Sequence, residues 1–386
     1  MKDFVFQNPT KIIFGKGKIS KLGEEVVKTS KKVLLVYGKG SIKENGVYDQ
    51  VISSLKSYGI DFAELSGVKP NPVLSKVHEG VDLARKEQVD GIIAIGGGSV
   101  IDSSKTIAAG FYYEGDIWDA FIGKYKAKKS LPIYVVLTIS ATGSEMNGGA
   151  VITNEKTKQK YSFWSVKSYP RVSILDPSVQ FSLPKIQTAN GAADVIAHVL
   201  ELYFDGSRNV QIMDEISEGI VRTVIDSTNI LIKTPDDYEA RANLVWSATL
   251  ALNGINGTGR SGGDWASHAI EHSLSALYDI AHGSGLAIIM PAWMRYTYKE
   301  DVEKFARFAN KVFGIDELDH EKAAIMGIDR LKDWYKSIGL PVSLSDAKIP
   351  VESVDKIVEN AAMRTPFGRL KKLQPSDVKE ILNLCV

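Results

Sequence analysis

Six histidines occur in the chain; four lie between residues 198 and 282, and three of those fall within fifteen residues. Imidazoles at that density raise the question of a metal site. The first element is Gly191-Ala192-Ala193-Asp194-Val195-Ile196-Ala197-His198, in a stretch that reads as helix. Spacing of four puts Asp194 and His198 on one helix face, close enough to share an ion, although a plain helical Asp–His hydrogen bond fits the same spacing. The second element is Asp264-Trp265-Ala266-Ser267-His268-Ala269-Ile270-Glu271-His272, where His268 and His272 again share a face. The third is Ala281-His282-Gly283, just before a glycine-rich helix start. Each histidine alone reads more readily as a structural residue. Taken together they supply one carboxylate and three imidazoles, with His272 left over, a set that suits Zn²⁺ or Fe²⁺.

A second chemistry lies upstream. Gly96-Gly97-Gly98-Ser99 directly follows the apolar run Gly91-Ile92-Ile93-Ala94-Ile95 and opens a helical stretch through Val100-Ile101-Asp102. Consecutive glycines let backbone approach a phosphate, and a helix start offers unpaired N–H groups to it. A tight strand-to-helix turn also calls for glycine, but three exceed what a simple turn needs. The spacing is not G-x-G-x-x-G, so an ordinary Rossmann dehydrogenase is not expected. A second loop, Gly38-Lys39-Gly40-Ser41, follows the run 33–37. An acid near such a strand end holds the 2′-hydroxyl of NAD. Here the strand ends in Tyr37-Gly38 without one, and a loop carrying a lysine and a hydroxyl suits a 2′-phosphate, so NADP is expected over NAD; a solvated turn with an incidental lysine is the alternative.

The elements that must position these groups fall into two parts. Up to about residue 180, short apolar runs at 33–37, 60–65, 91–95, 133–138, 150–153 and 172–175 alternate with helical stripes such as Val73, Val77, Val81 and Ala84. That alternation implies a mostly parallel sheet covered on both faces. From about 186 onward no strand is evident, and breaks at Thr234-Pro235, Ser261-Gly262-Gly263 and Gly339-Leu340-Pro341 separate helices. The expected organisation is an α/β dinucleotide-binding domain over 1–180 and an all-helical metal-binding domain over 181–386. A chain of 386 residues is long enough for two such cores. The net charge of +1 gives no footprint for nucleic acid or an anionic membrane. No window approaches the length of an apolar membrane span. No secretory signal is evident, and one cysteine, Cys385, allows no intrachain disulfide, which fits a cytoplasmic protein.

At this point the ordered motifs match a known pattern. Asn8-Pro9-Thr10-Lys11-Ile12-Ile13-Phe14-Gly15, Lys69-Pro70-Asn71-Pro72, Gly96 to Asp102, Ala141-Thr142-Gly143-Ser144-Glu145 and Ile174-Leu175-Asp176-Pro177, with the 194/198 and 268-to-282 elements, span nearly the whole chain. It resembles the iron-containing (group III) alcohol dehydrogenases, related in fold to glycerol dehydrogenase and dehydroquinate synthase. Asp264-Trp265-Ala266 and the 38–41 loop bring it nearer the butanol dehydrogenase-like branch. The resemblance implies Asp194, His198, His268 and His282 as metal ligands, and pyrophosphate at Gly97, Gly98 and Ser99. It implies Asp102, Thr138, Thr142 and Lys160 around the ribose and nicotinamide, with Asn71 and Leu183 near the cofactor. Gly38 and Ser41 would face the 2′ position. His272 matches an active-site histidine that is not a ligand; family members are commonly dimers or larger, and a homodimer is expected here. One departure is Thr138-Ile139-Ser140-Ala141-Thr142-Gly143-Ser144-Glu145, where Thr-Thr-Ala-Gly-Thr-Gly-Ser-Glu is common.

The implied reaction is hydride transfer between nicotinamide C4 and a short-chain primary alcohol or aldehyde in the cleft between the domains. The metal acts as Lewis acid, and His272 serves either as proton relay or as the partner that orients His268. Trp265, Trp164 and Tyr169 would line an apolar pocket, or simply pack in the core. A polyol dehydrogenase of the same superfamily is the nearest rival. A dehydroquinate synthase-like lyase needs a basic clamp that is missing around 260–285 beyond Arg260. A metal-storage protein has no use for the glycine loop.

Overall fold

The computed structural model describes residues 1–386. The chain forms two compact units: Gln7–Leu183 with Thr234–Thr249, and Met1–Phe6 with Pro184–Lys233 and Leu250–Val386. A single cut near 180 does not describe this division. The first six residues go with the helices, and most of helix Tyr238–Leu252 goes with the sheet. Val245 on that helix joins the sheet's core, and Thr249 donates to the buried carboxylate of Glu145 at 2.6 Å. Nothing in its local pattern marks the helix as belonging to the sheet.

The sheet unit contains eight strands: β1 (Lys11–Phe14), β2 (Lys32–Tyr37), β3 (Asp61–Leu65), β4 (Gly91–Gly96), β5 (Ile133–Leu137), β6 (Gly149–Asn154), β7 (Gln159–Trp164) and β8 (Val172–Leu175). Six form a sheet in the order β1-β8-β5-β4-β2-β3, with every pairing parallel. Strands buried on both faces need unbroken apolar sequence. In β2, β4 and β5 successive residues do feed opposite cores: Leu34, Ile92 and Val135 pack on one face, and Leu35, Ile93 and Val136 on the other. From β2 the chain steps outward to β3, then returns to the other side of β2 as β4 and continues to β5. That reversal opens a crevice at the carboxyl ends of β2 and β4, the usual ligand position in such sheets.

β6 and β7 form a separate antiparallel hairpin. β7 has no apolar run, since Gln159-Lys160-Tyr161-Ser162-Phe163-Trp164 mixes polar and aromatic residues and buries only Lys160 and Phe163. A search for apolar runs therefore finds β6 and passes over β7.

The second unit is helical. Its central helix, Lys185–Tyr203, is buried on all sides from Thr188 onward. Helices Gln211–Leu231, Ala266–Tyr278, His282–Thr297, Val302–Phe313 and His320–Ser337 build the rest, with shorter helices at Val354–Ala362 and Pro375–Asn383. No helix in the chain is long and apolar enough to cross a membrane.

Candidate metal and cofactor sites

Helix Lys185–Tyr203 carries Asp194, His198 and Glu201 at i, i+4 and i+7, which is one face. Helix Ala266–Tyr278 carries His268, Glu271 and His272, and His282 opens the next helix. Two glycines let these helices come close. A Cβ on Gly283 would lie 2.0 Å from the backbone oxygen of Asn190, and one on Gly285 would lie 2.7 Å from Oε1 of Glu271. Ser284 Oγ ties the same contact by donating to Asn190 Oδ1 at 2.6 Å. His282 is thereby brought beside Asp194.

Three imidazole nitrogens converge on one carboxylate oxygen. Asp194 Oδ1 is 3.5 Å from His198 Nδ1, 3.9 Å from His268 Nε2 and 3.6 Å from His282 Nε2. These separations are too long for hydrogen bonds. They do suit ligands of a shared cation, since atoms about 2.1 Å from a tetrahedral ion lie roughly 3.4 Å from one another. Asp194 Oδ1, His198 Nδ1 and His268 Nε2 are buried with no hydrogen-bond partner, which a cation among them would explain. The ligand atoms of Asp194, His268 and His282 all lie within 4.8 Å of one another; His198 is outside that three-way group, with its ring stacked on His268 at 4.8 Å. Burial pushes the His198 imidazole down to about 4, against the nearby Asp194 charge, so the ring is neutral as a ligand must be.

Two acids that sequence reasoning missed complete the centre. Glu201 Oε1 lies 3.1 Å from His268 Nδ1, and Glu271 Oε2 holds His282 Nδ1. A carboxylate on Nδ1 fixes the tautomer and leaves Nε2 free to bind metal. Both acids are fully buried. Burial alone would raise Glu201, but the hydrogen bonds it accepts from His268 and Ser267 help hold the carboxyl below its usual range. The available signal was their position: Glu201 lies on the Asp194 face, and Glu271 sits three residues after His268. His272 lies 5.6 Å from His282 and 6.3 Å from His268, ring to ring, and the group bonded to His268 Nδ1 is Glu201 rather than His272.

In the sheet unit, Gly38 to Ser41 follows β2, and Gly97 to Ser99 follows the adjacent β4, so both loops sit at the crevice where the strand order reverses. Helix Gly98–Gly110 starts with no side-chain cap. Its glycines also serve packing, since a Cβ on Gly98 would fall 2.3 Å from Thr142 Cγ2. Thr138, just past β5, bonds through its N–H to Gly96 O at 3.1 Å. Lys160 on β7 donates to Asn71 Oδ1 at 2.9 Å. Leu183 ends the first segment of the unit, with its N–H bonded to Gln180 O. Asp102 accepts from Ser144 Oγ at 2.6 Å and from Val151 N–H at 2.9 Å, which anchors the 144–151 segment to the helix. Lys105, one turn on, is wholly buried and donates to Ser144, Asn147 and Gly149. Of the three aromatics expected near substrate, Trp265 packs edge-on to His268 at 5.4 Å, while Trp164 is 58% exposed and packs on Tyr169 in the other unit.

Residues 9–177 match the family model described as iron-containing alcohol dehydrogenase, and residues 188–386 match its C-terminal counterpart. The chain belongs to the iron-containing alcohol dehydrogenase family. Its activity is that of an alcohol dehydrogenase, an oxidoreductase, as the motifs implied. Among its relatives is a probable NADH-dependent butanol dehydrogenase of Bacillus subtilis, 45% identical over 99% of both chains. The NADPH-dependent aldehyde reductase of Escherichia coli is 36% identical over 93% of this chain and 92% of its own. The crystal structure of NADH-dependent butanol dehydrogenase A from Thermotoga maritima superposes with a TM-score of 0.98 at 59% identity, covering 100% of this chain and 99% of that one.

Proposed function

We propose that this alcohol dehydrogenase interconverts short-chain primary alcohols and aldehydes, with a divalent cation held by Asp194, His198, His268 and His282. The observation that carries this reading is the convergence of three imidazole nitrogens on Asp194 Oδ1 among buried polar atoms that lack partners. When bound, the cation supplies Lewis acidity toward the substrate oxygen, and the nicotinamide supplies or accepts hydride. The chain's own work is orientation. Glu201 and Glu271 hold the imidazoles of His268 and His282 with Nε2 toward Asp194. The glycine turn 97–99 binds pyrophosphate, Thr138, Thr142 and Lys160 surround the nicotinamide end, and His272 carries the proton to or from the substrate oxygen.

For the coenzyme we infer NADPH over NADH. The end of β2 carries no acid, and the acid on the neighbouring strand, Glu64, accepts from the hydroxyls of Tyr37 and Tyr48 at 2.5 and 2.7 Å. Neither oxygen is thus free of a donor for a ribose 2′-hydroxyl, while Lys39 stands exposed in the loop. The names of the Bacillus and Thermotoga relatives favour NADH, and that of the Escherichia coli reductase favours NADPH. Parallel assays with the two coenzymes decide this point. Replacing His268 with Ala tests the metal reading: metal retention and turnover should be lost together, and a fully active, metal-loaded variant would refute it.

A further inference from the structure

Glu201 does more than face one ligand. Five donors converge on this residue. Its Oε1 accepts from Ser267 Oγ at 2.5 Å and from the His268 backbone N–H at 3.1 Å, and faces His268 Nδ1 at 3.1 Å. Its Oε2 accepts from the Trp265 N–H at 2.5 Å, and its backbone oxygen accepts from the Asp264 N–H at 2.8 Å. Trp265 sits at φ 64, in the left-handed region that a bulky residue occupies only where its surroundings hold it. The indole lies against the ligand rings, 5.4 Å from His268 and 6.3 Å from His198, ring to ring, and the residue is half-buried. Glu271, by contrast, holds His282 and Ser275 with its carboxylate.

We infer that Glu201 is a positioning residue that locks the His268 imidazole and the Trp265 indole into one unit, so that metal affinity and substrate chain-length preference depend on the same carboxylate. The inference rests on the metal and aldehyde reading above. Its physical basis is that one oxygen sets the tautomer and direction of the ligand, while the other sets the backbone from which the aromatic wall projects. A substrate whose oxygen met a cation held by Asp194, His198, His268 and His282 would carry its alkyl chain past that wall. Moving the wall therefore changes how chains of different length are accepted.

The test compares the wild-type protein with Glu201→Gln and Glu271→Gln. Each is titrated with Co²⁺ against a chelator, with the visible absorption of the bound ion recorded. Metal-saturated samples then give kcat/KM for acetaldehyde, butyraldehyde and hexanal. Glu201→Gln should bind Co²⁺ roughly 10- to 100-fold more weakly, shift its absorption bands, and change the hexanal-to-acetaldehyde ratio several-fold. Glu271→Gln should weaken metal binding and leave that ratio alone. Ser267→Ala removes one donor and keeps the carboxylate, so it should move both readouts in the same direction by less, and it carries the test if Glu201→Gln does not fold. An unchanged ratio in the Glu201 variant, or an equal change in the Glu271 variant, overturns the inference. A wild-type protein that binds no Co²⁺ or reduces no aldehyde overturns the underlying reading instead.

Discussion

Adding one methyl group at Gly283 should dismantle the metal centre. A Cβ there would meet the Asn190 backbone oxygen at 2.0 Å, whereas ordinary contact begins near 3.4 Å. The obstacle is main chain in a fully buried helix and cannot swing aside, so helix His282–Thr297 must retreat by about 1.4 Å, the difference between those two distances. His282 Nε2 now lies 3.6 Å from Asp194 Oδ1, and the same retreat would carry it to about 5 Å, beyond the reach of a shared ion. Overpacking of this kind costs about 1–3 kcal/mol, and the upper end applies where backbone blocks backbone. A misplacement of about 1 Å in a reacting centre costs around 100-fold in rate. Gly283→Ala should therefore lose most of its metal after gel filtration, melt several degrees lower, and fall at least 100-fold in kcat/KM. Gly219→Ala is the control. It lies within helix Gln211–Leu231 with only Arg222 Nη2 near, at 3.9 Å, so it should gain about 0.5–1 kcal/mol. A Gly283→Ala protein with wild-type metal content and melting temperature would refute the close-approach argument.

Three further outcomes follow. Replacing Lys105 with Met should cost about 3–5 kcal/mol in urea unfolding, because the ammonium's partners are left in a buried site beside Asp102 and Glu145. Burial pushes Lys105 down to about 8, against the raising effect of Asp102 and Glu145, so between about pH 8 and 10.5 the unfolded chain binds the proton that the folded chain has released. Wild-type stability should then rise with pH relative to Lys105→Met over that window, by up to about 1.4 kcal/mol per pH unit; a pH-independent difference would contradict the assigned cause. His272→Ala should keep its metal and lose about 100-fold or more in kcat if the ring moves the proton, and wild-type turnover would remove it from that role. Lys39→Ala should raise the KM for NADPH about 10-fold and leave NADH unchanged if the loop binds the 2′-phosphate; equal effects on both would reject that contact.

The parts of this protein legible in its sequence are those set by short spacings or continuous burial. Strands β2, β4 and β5 are buried on both faces and show as apolar runs. The pair Asp194 and His198 shares a face by helix periodicity, and His268 and His282 flank it from two further helices. What stayed hidden depends on packing between distant elements. Glu201 and Glu271 are ordinary acids until neighbouring helices bury them against imidazoles. Asp102 follows the glycine turn and suggests cofactor, yet its two oxygens hold Ser144 and Val151. The left-handed backbone of Trp265 goes with a partner far along the chain, the Glu201 carboxylate that accepts from its N–H. Helix Tyr238–Leu252 gives no sign of its partner, since its apolar residues are spread around its circumference.

The central claim is metal-dependent hydride transfer to a short-chain aldehyde. Its most direct test follows the near-ultraviolet absorbance of reduced nicotinamide with butyraldehyde, using protein stripped with chelator and protein reloaded with Fe²⁺ or Zn²⁺. The predicted result is NADPH oxidation that vanishes on stripping and returns on reloading. Undiminished oxidation by protein shown to be free of metal, or none by protein shown to hold it, would contradict the account.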